Sequence, residues 1–312
     1  MKLGIDTYSF HVAHKIGTYD LFATLDRMEE LGLEGLQINI NGPDGRFLGG
    51  DPADKAHIRK VQKAIAAKGF FAEIGGRGTE PSELEWQLRL AAAIGADVLR
   101  TLLIFRDPLA TTFERTRRDL EAILPLAREF GVRIAFENHE DVTAGELRAF
   151  LDEVDDTRVG ACFDSGNDLV VYGDPLEGAR QLAPRAITSH IKDHQRIRVG
   201  ETVYSVGVPL GKGELPVGEQ LVAVETMGSL DRFLLQDTTG YSSKLNPFNR
   251  PDLEPGLHSG PIPEFPDHVA AAAAGYVLSL DLLSPEALQD LANQTDDRIF
   301  SDVRFLRGLL SG

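Results

Sequence analysis

Short apolar runs rich in β-branched and aromatic residues recur along the chain, each followed by a longer stretch whose apolar positions lie three and four apart. The first pattern has the character of a strand and the second the period of a helix, so their alternation predicts parallel strands joined by helices. Eight strands are expected, at residues 3–8, 36–40, 70–74, 98–103, 132–137, 159–164, 187–192 and 233–237, each with a helix after it. In the first helix Leu21, Leu25 and Met28 share a face, and Gly32 follows as a stop. Helix starts are expected at Asp51-Pro52 and Ser284-Pro285, where a capping oxygen precedes a proline at the first helical position. Ser82 with Glu85, Thr111 with Glu114 and Thr143 with Glu146 have the spacing of capping boxes.

Eight strands in series fit an open doubly wound sheet or a closed barrel. The G-x-G-x-x-G turn expected after the first strand of a dinucleotide-binding sheet is absent, and Gly75-Gly76-Arg77-Gly78 reads as a tight turn rather than a phosphate cradle. The expected fold is therefore α/β, a (β/α)8 TIM barrel forming one domain over residues 1–312. Residues 241–266 carry Pro247, Pro251, Pro255, Pro261, Pro263 and Pro266 and show neither period. Because they leave the eighth strand at the mouth of the barrel, residues 239–267 are expected to form a lid, with Phe248 and Arg250 as contacts, or an arm that binds a second subunit in a homo-oligomer.

Side chains alternate across a strand, so the apolar set marks the face turned to the helices. In the fifth strand Val132, Ile134 and Phe136 form that set, leaving Arg133, Ala135 and Glu137 inward. By the same reasoning Asp164 points inward from the sixth strand, His190 and Lys192 from the seventh, where Ile187 and Ile191 face out, and Gln236 from the eighth. Taken singly, each could brace a loop. Together they place two carboxylates, an imidazole and an amide at the end where barrel enzymes keep their active sites. Two carboxylates in one buried place repel, and a cation removes that penalty. The donor set suits Mn²⁺ best, with Mg²⁺, Co²⁺ or Zn²⁺ as alternatives. Asp6, Tyr8, Gln37, Asn39, Glu73, Arg100 and Lys192 are the other inward residues at this mouth, a polar inventory suited to a polyhydroxylated or keto ligand. Arg100 and Lys192 are placed for anionic groups or a polarised carbonyl.

Composition narrows the partners. A formal net charge of −16 disfavours a nucleic-acid or membrane partner but not a metal cation, and the hydrophobic share of 42% supplies a core. The single cysteine, Cys162, excludes an intrachain disulfide and a Cys-rich zinc site. With Met1 and Lys2 leading directly into a strand-like run, the expected location is the cytoplasm.

At this point the sequence resembles the xylose isomerase-like TIM barrel superfamily, over essentially residues 1–310. Ile134-Ala135-Phe136-Glu137-Asn138-His139 looks like that family's glutamate-bearing fifth strand, Cys162-Phe163-Asp164-Ser165-Gly166-Asn167 like its D-x-G-H strand end, and His190-Ile191-Lys192-Asp193 like its H-x-K-D segment. Val208-Pro209-Leu210-Gly211-Lys212-Gly213-Glu214 resembles the loop that follows. The resemblance implies Glu137, Asp164 and His190 as metal ligands with Gln236 in the fourth place; the catalytic candidates are Glu137 or His139 as the one base, and Lys192 beside a polarised carbonyl. Glu73, Arg100, Asn167 and Arg196 are then expected to contact substrate. The chain departs from the family's pattern at Asn167, where a histidine is usual, and at Gln236, where a metal-binding glutamate is usual. Glutamine cannot abstract a proton, so a two-base epimerisation is disfavoured. The resulting expectation is a metal-dependent isomerase acting on a sugar or related keto compound through one base. The alternatives are a metal-dependent lyase on a keto sugar, inosose or keto acid, and a non-catalytic partner subunit.

Overall fold

The computed structural model describes residues 1–40, 46–105, 108–254 and 261–311. Strands β1 (Lys2–Asp6), β2 (Gly35–Asn39), β3 (Phe71–Gly75), β4 (Val98–Thr101), β5 (Arg133–Glu137), β6 (Val159–Asp164) and β7 (Ala186–His190) pair in parallel, each with the next. β8 (Asp193–Val199) and β9 (Thr202–Val208) form an antiparallel hairpin, and β10 (Arg232–Leu235) is the eighth barrel strand, paired with β1. Ile191 closes the ring: its N–H donates to Leu234 O at 2.7 Å and its carbonyl accepts from Gln236 N at 2.9 Å. The TIM barrel expected from the pattern is present, with the main helices on its outer face.

The parity argument holds where it was applied to the fifth and sixth strands. Ile134, Phe136, Ala161 and Phe163 are buried in the large cluster between barrel and helices, whereas Val98, Ala135 and Cys162 form a small apolar layer inside the barrel. A register shift between Ala161 and Cys162 leaves Ile187 packed against that inner layer, a correction to the outward position expected for it.

Boundaries moved where local hydrogen bonding outcompeted pattern. The first strand ends at Asp6 rather than Tyr8, because the Asp6 carboxylate accepts from Tyr8 N at 3.0 Å and starts a short 3₁₀ turn, Thr7–Phe10. Asp54, not Asp51, caps helix Lys55–Ala67, and Ser82 and Thr111 lie inside helices that begin at Pro81 and Leu109. The Thr143–Glu146 capping box and the Ser284 cap form as expected. The β8–β9 hairpin, absent from the expected elements, inserts before helix Val217–Met227. It also recruits the proline-rich segment, which was expected to lack strands: β11 (Ser242–Lys244) pairs with β9 and β12 (Glu264–Phe265) with β8. Residues 255–260 of that segment, Pro255 among them, lie outside the described residues. Among the described residues no helix is long and apolar enough to cross a membrane.

Candidate active site

The carboxyl ends of the barrel strands open onto a cavity of about 250 Å³ lined by Tyr8, Asn39, Arg100, Glu137, His139, Asn167, Lys192 and Gln236, among others. Strand register brings the key groups together. Asp164 sits beside His190, and Glu137 pairs with Cys162 one layer lower. His190 Nδ1 lies 3.5 Å from Glu137 Oε1 and 3.7 Å from Asp164 Oδ2, with all three side chains essentially buried. The thiol of Cys162 belongs to the same cluster, with Glu137, Cys162 and His190 offering ligand atoms within 4.8 Å of one another. Burial pushes that thiol up to about 11, so it stays protonated at neutral pH.

The carboxylates are held by fixed donors. Asp164 Oδ1 accepts from Gly166 N at 2.9 Å and Asn167 N at 3.2 Å, while Lys192 Nζ stands 2.9 Å from Asp164 Oδ2. Oδ2 makes no well-aligned hydrogen bond and is turned to the cluster. Lys192 also donates to Asn167 Oδ1 at 2.8 Å, and Asn167 Nδ2 donates to Glu137 Oε1 at 3.2 Å. Burial works against the Glu137 charge, but His190 and Arg100, whose Nε is 3.3 Å away, hold its carboxyl well below the usual range. Burial also opposes charge on His190, yet the facing carboxylates of Glu137 and Asp164 raise it well above the ordinary imidazole value. A Glu137 oxygen and a His190 nitrogen are close enough to hold a divalent cation between them, and Asp164 Oδ2, which lies outside that group and is paired with Lys192, would join them by exchanging the ammonium for the cation.

Of three further expected site residues, Gln236 lines the cavity and Glu73 and Arg196 do not. Gln236 reaches the cavity, but its Nε2 donates to Asp6 Oδ2 at 2.7 Å and is the amide atom 3.4 Å from His190 Nδ1. The Asp6 carboxylate can only accept, so the amide nitrogen faces the cluster and the expected oxygen ligand is not presented. Glu73 is fully buried beneath the cavity, bonded to Gln37, Thr188 and Arg232, and burial pushes its carboxyl up to about 7. Arg196, on β8, is engaged by Glu214 through Nε at 2.8 Å and Nη2 at 2.9 Å and does not line the cavity. Phe248 and Arg250 are also outside the cavity. Phe248 packs on Phe105 with ring centroids 5.9 Å apart, and Arg250 pairs with Glu146 and Asp252.

Pattern reading passed over Arg77, Glu140, Thr238 and Tyr241, all of which line the cavity. Tyr241 comes from the proline-rich segment, and its hydroxyl donates to Glu140 Oε1 at 2.6 Å, tying that segment to the loop after β5. Arg77 carries an exposed guanidinium on the turn read only as glycine-rich, with no ion-pair partner among the described residues.

A family model described as xylose isomerase-like TIM barrel matches residues 25–236. A 3-oxo-isoapionate decarboxylase of Pectobacterium atrosepticum is 28% identical over 225 residues, covering 69% of this chain and 78% of that protein. Among solved structures, a D-psicose 3-epimerase crystallised in the presence of D-fructose superposes with a TM-score of 0.62 at 15% identity, covering 100% of both chains. The IOLI protein with a binding zinc atom gives a TM-score of 0.62 at 14% identity, over 77% of this chain and 90% of that one. These two likenesses are ones of fold.

Proposed function

Because the chain belongs to the xylose isomerase-like TIM barrel family, we propose that it is a divalent-metal-dependent lyase that decarboxylates a 3-oxo acid with a polyhydroxylated, sugar-like skeleton. The observation that carries this reading is the asymmetry around His190, where a carboxylate, Glu137, approaches Nδ1 to 3.5 Å and an amide, Gln236, to 3.4 Å. An inversion at carbon needs an acceptor and a donor of protons on opposite faces, and an amide can be neither. Loss of carbon dioxide needs no base at carbon. The decarboxylase that is 28% identical to this chain supports the choice.

Glu137, Asp164 and His190 would hold the cation, whose chemistry is Lewis-acid polarisation of the substrate ketone and its neighbouring hydroxyl. Mn²⁺ suits the oxygen-rich set best, with Mg²⁺, Co²⁺ and Zn²⁺ as alternatives. The bond to the carboxylate breaks, its electron pair passes to the ketone oxygen, and Lys192 Nζ, steadied by Asn167 Oδ1 at 2.8 Å, donates to that oxygen. His139, half-buried in the cavity lining, returns one proton to the carbon. Arg77 at the lip and Arg100 deeper in the cavity supply the positive field that draws in an acid, while Tyr8 and Asn39 face its hydroxyls.

The test is incubation of Mn²⁺-loaded protein with a panel of 3-oxo sugar acids and ketoses, read by carbon dioxide release and product mass. Release of carbon dioxide from an oxo acid is the expected result. Mass-neutral conversion of a ketose, with no oxo acid decarboxylated, would replace this reading by the one-base isomerase that Glu137 and His139 also support.

A further inference from the structure

Beneath the cavity, Gln37 sits at the centre of a chain of buried polar groups. Its Oε1 lies 3.0 Å from His190 Nε2 and accepts from Arg100 Nε at 3.2 Å, and its Nε2 donates to Glu73 Oε2 at 3.0 Å. Gln37, Glu73 and His190 are fully buried and Arg100 nearly so, so water does not compete for these bonds. The amide cannot turn over. Arg100 has only N–H groups to offer, and a flip would set the Gln37 NH₂ against it while turning the amide oxygen toward the Glu73 carboxylate. With Oε1 fixed as an acceptor, the ring nitrogen of His190 that meets it must carry the hydrogen.

We infer that Gln37 is a positioning residue that locks His190 as the Nε2–H tautomer, leaving Nδ1 to bind the cation with Glu137 and Asp164. The inference rests on the metal-dependent reading above and deepens it. Asp6 Oδ2, at 3.6 Å from His190 Nε2, is too far to replace it as acceptor. Outer partners of this kind orient a metal-bound imidazole, and losing one typically weakens metal binding about 10–100-fold.

Two measurements test it without reference to turnover. In Zn²⁺-loaded protein labelled with ¹⁵N, long-range ¹H–¹⁵N correlation should show His190 protonated at Nε2 and metal-shifted at Nδ1, with the resonance assigned from its loss in His190→Ala. The reverse pattern overturns the inference. In the second, Zn²⁺ affinity is measured by competition with a chelating dye. Gln37→Met should weaken binding about 10-fold or more, whereas Gln37→Glu combined with Glu73→Gln, which keeps an acceptor for His190 and Arg100 and restores a donor at the 3.0 Å contact beneath it, should recover most of it. If Gln37→Met folds, as judged by circular dichroism, and binds Zn²⁺ as tightly as the parent, the inference fails. Protein that decarboxylates nothing yet loses Zn²⁺ on Gln37→Met would overturn the function and leave the role of Gln37 standing.

Discussion

Asn138 and Asp164 are joined by a reciprocal pair of hydrogen bonds: Asn138 Nδ2 donates to Asp164 O at 3.0 Å, and Asn138 Oδ1 accepts from Asp164 N at 2.7 Å. The side chain after β5 thus completes backbone pairing at the end of β6, where the ladder stops and the site begins. Both partners are buried, so removing the amide leaves two backbone groups unsatisfied.

Asn138→Ala should therefore destabilise the fold by about 1–3 kcal/mol and also weaken metal binding, because the Asp164 backbone loses its tether. Urea denaturation of the metal-free protein and a metal titration check the two effects. Unchanged metal affinity with the expected loss of stability would restrict Asn138 to a structural role.

Asp168 predicts a pH dependence. It is fully buried, and burial, the largest influence, together with nearby Asp164 and Asp174 pushes its carboxyl up to about 7. The folded state therefore binds this proton more tightly than the unfolded chain does. The stabilisation is complete below about pH 4 and is lost as pH rises toward 7. Asp168→Asn abolishes that titration, so its stability relative to the parent should improve with pH across the same window, by on the order of 3 kcal/mol. Denaturation at several pH values checks the slope, and parallel curves for the two proteins would contradict the assignment.

The site's three ligand candidates were legible because strand parity is a local property: one apolar face in β5 or β6 suffices to turn Glu137 or Asp164 inward. What failed was set by partners distant in sequence. The orientation of the Gln236 amide is imposed by Asp6, 230 residues away, and Arg196 is captured by Glu214 from the loop after β9. Glu73 has the right parity but lies a layer too deep, a distinction that depends on barrel stagger rather than on alternation. The β8–β9 hairpin was readable in principle, since Val203 and Ser205 alternate with neighbours across a turn at Gly200, whose φ is 58°. The expectation of eight strands, each followed at once by a helix, left no place for it.

Gln236→Glu places a second carboxyl where the amide now donates to Asp6 Oδ2 at 2.7 Å. Like charges at that distance raise the pKa of the pair above its value in the unfolded chain, so the variant's deficit in stability should be small at low pH and grow as pH rises to neutrality. Mn²⁺ should shrink the deficit by neutralising the pair, and should bind more tightly than to the parent. Thermal melts with and without Mn²⁺ between pH 4 and 8 measure both, and a metal-free variant as stable as the parent throughout would contradict the geometry.

Tyr241→Phe deletes the hydroxyl that holds Glu140 at 2.6 Å and leaves the ring in the cavity wall. Ser243 still donates to Glu140 at 2.8 Å, so the fold should be little affected. The loop after β5 loses one of the two hydrogen bonds by which Glu140 ties it to the segment beyond β10. A several-fold rise in KM with Tm within about 2 °C of the parent is the expected outcome, on the scale of one lost hydrogen bond while Glu140 keeps its other. A large fall in Tm with normal kinetics would make the contact structural only.

Deuterium labelling probes the one-sided proton supply most directly. Gln236 faces the cluster with an amide nitrogen and can hold no mobile proton, while Glu137 and His139 both lie toward the loop after β5. Turnover of an oxo acid in D₂O should thus deliver one deuterium, on one face, to the carbon that loses its carboxylate. If His139 is the donor, His139→Ala should slow protonation at least 100-fold, the usual scale of general acid catalysis, without reducing metal content. Glu137→Gln should instead reduce metal content, because it removes a ligand charge. Product labelled equally on both faces, or His139→Ala protein that labels as fast as the parent, would mean that solvent or another residue supplies the proton.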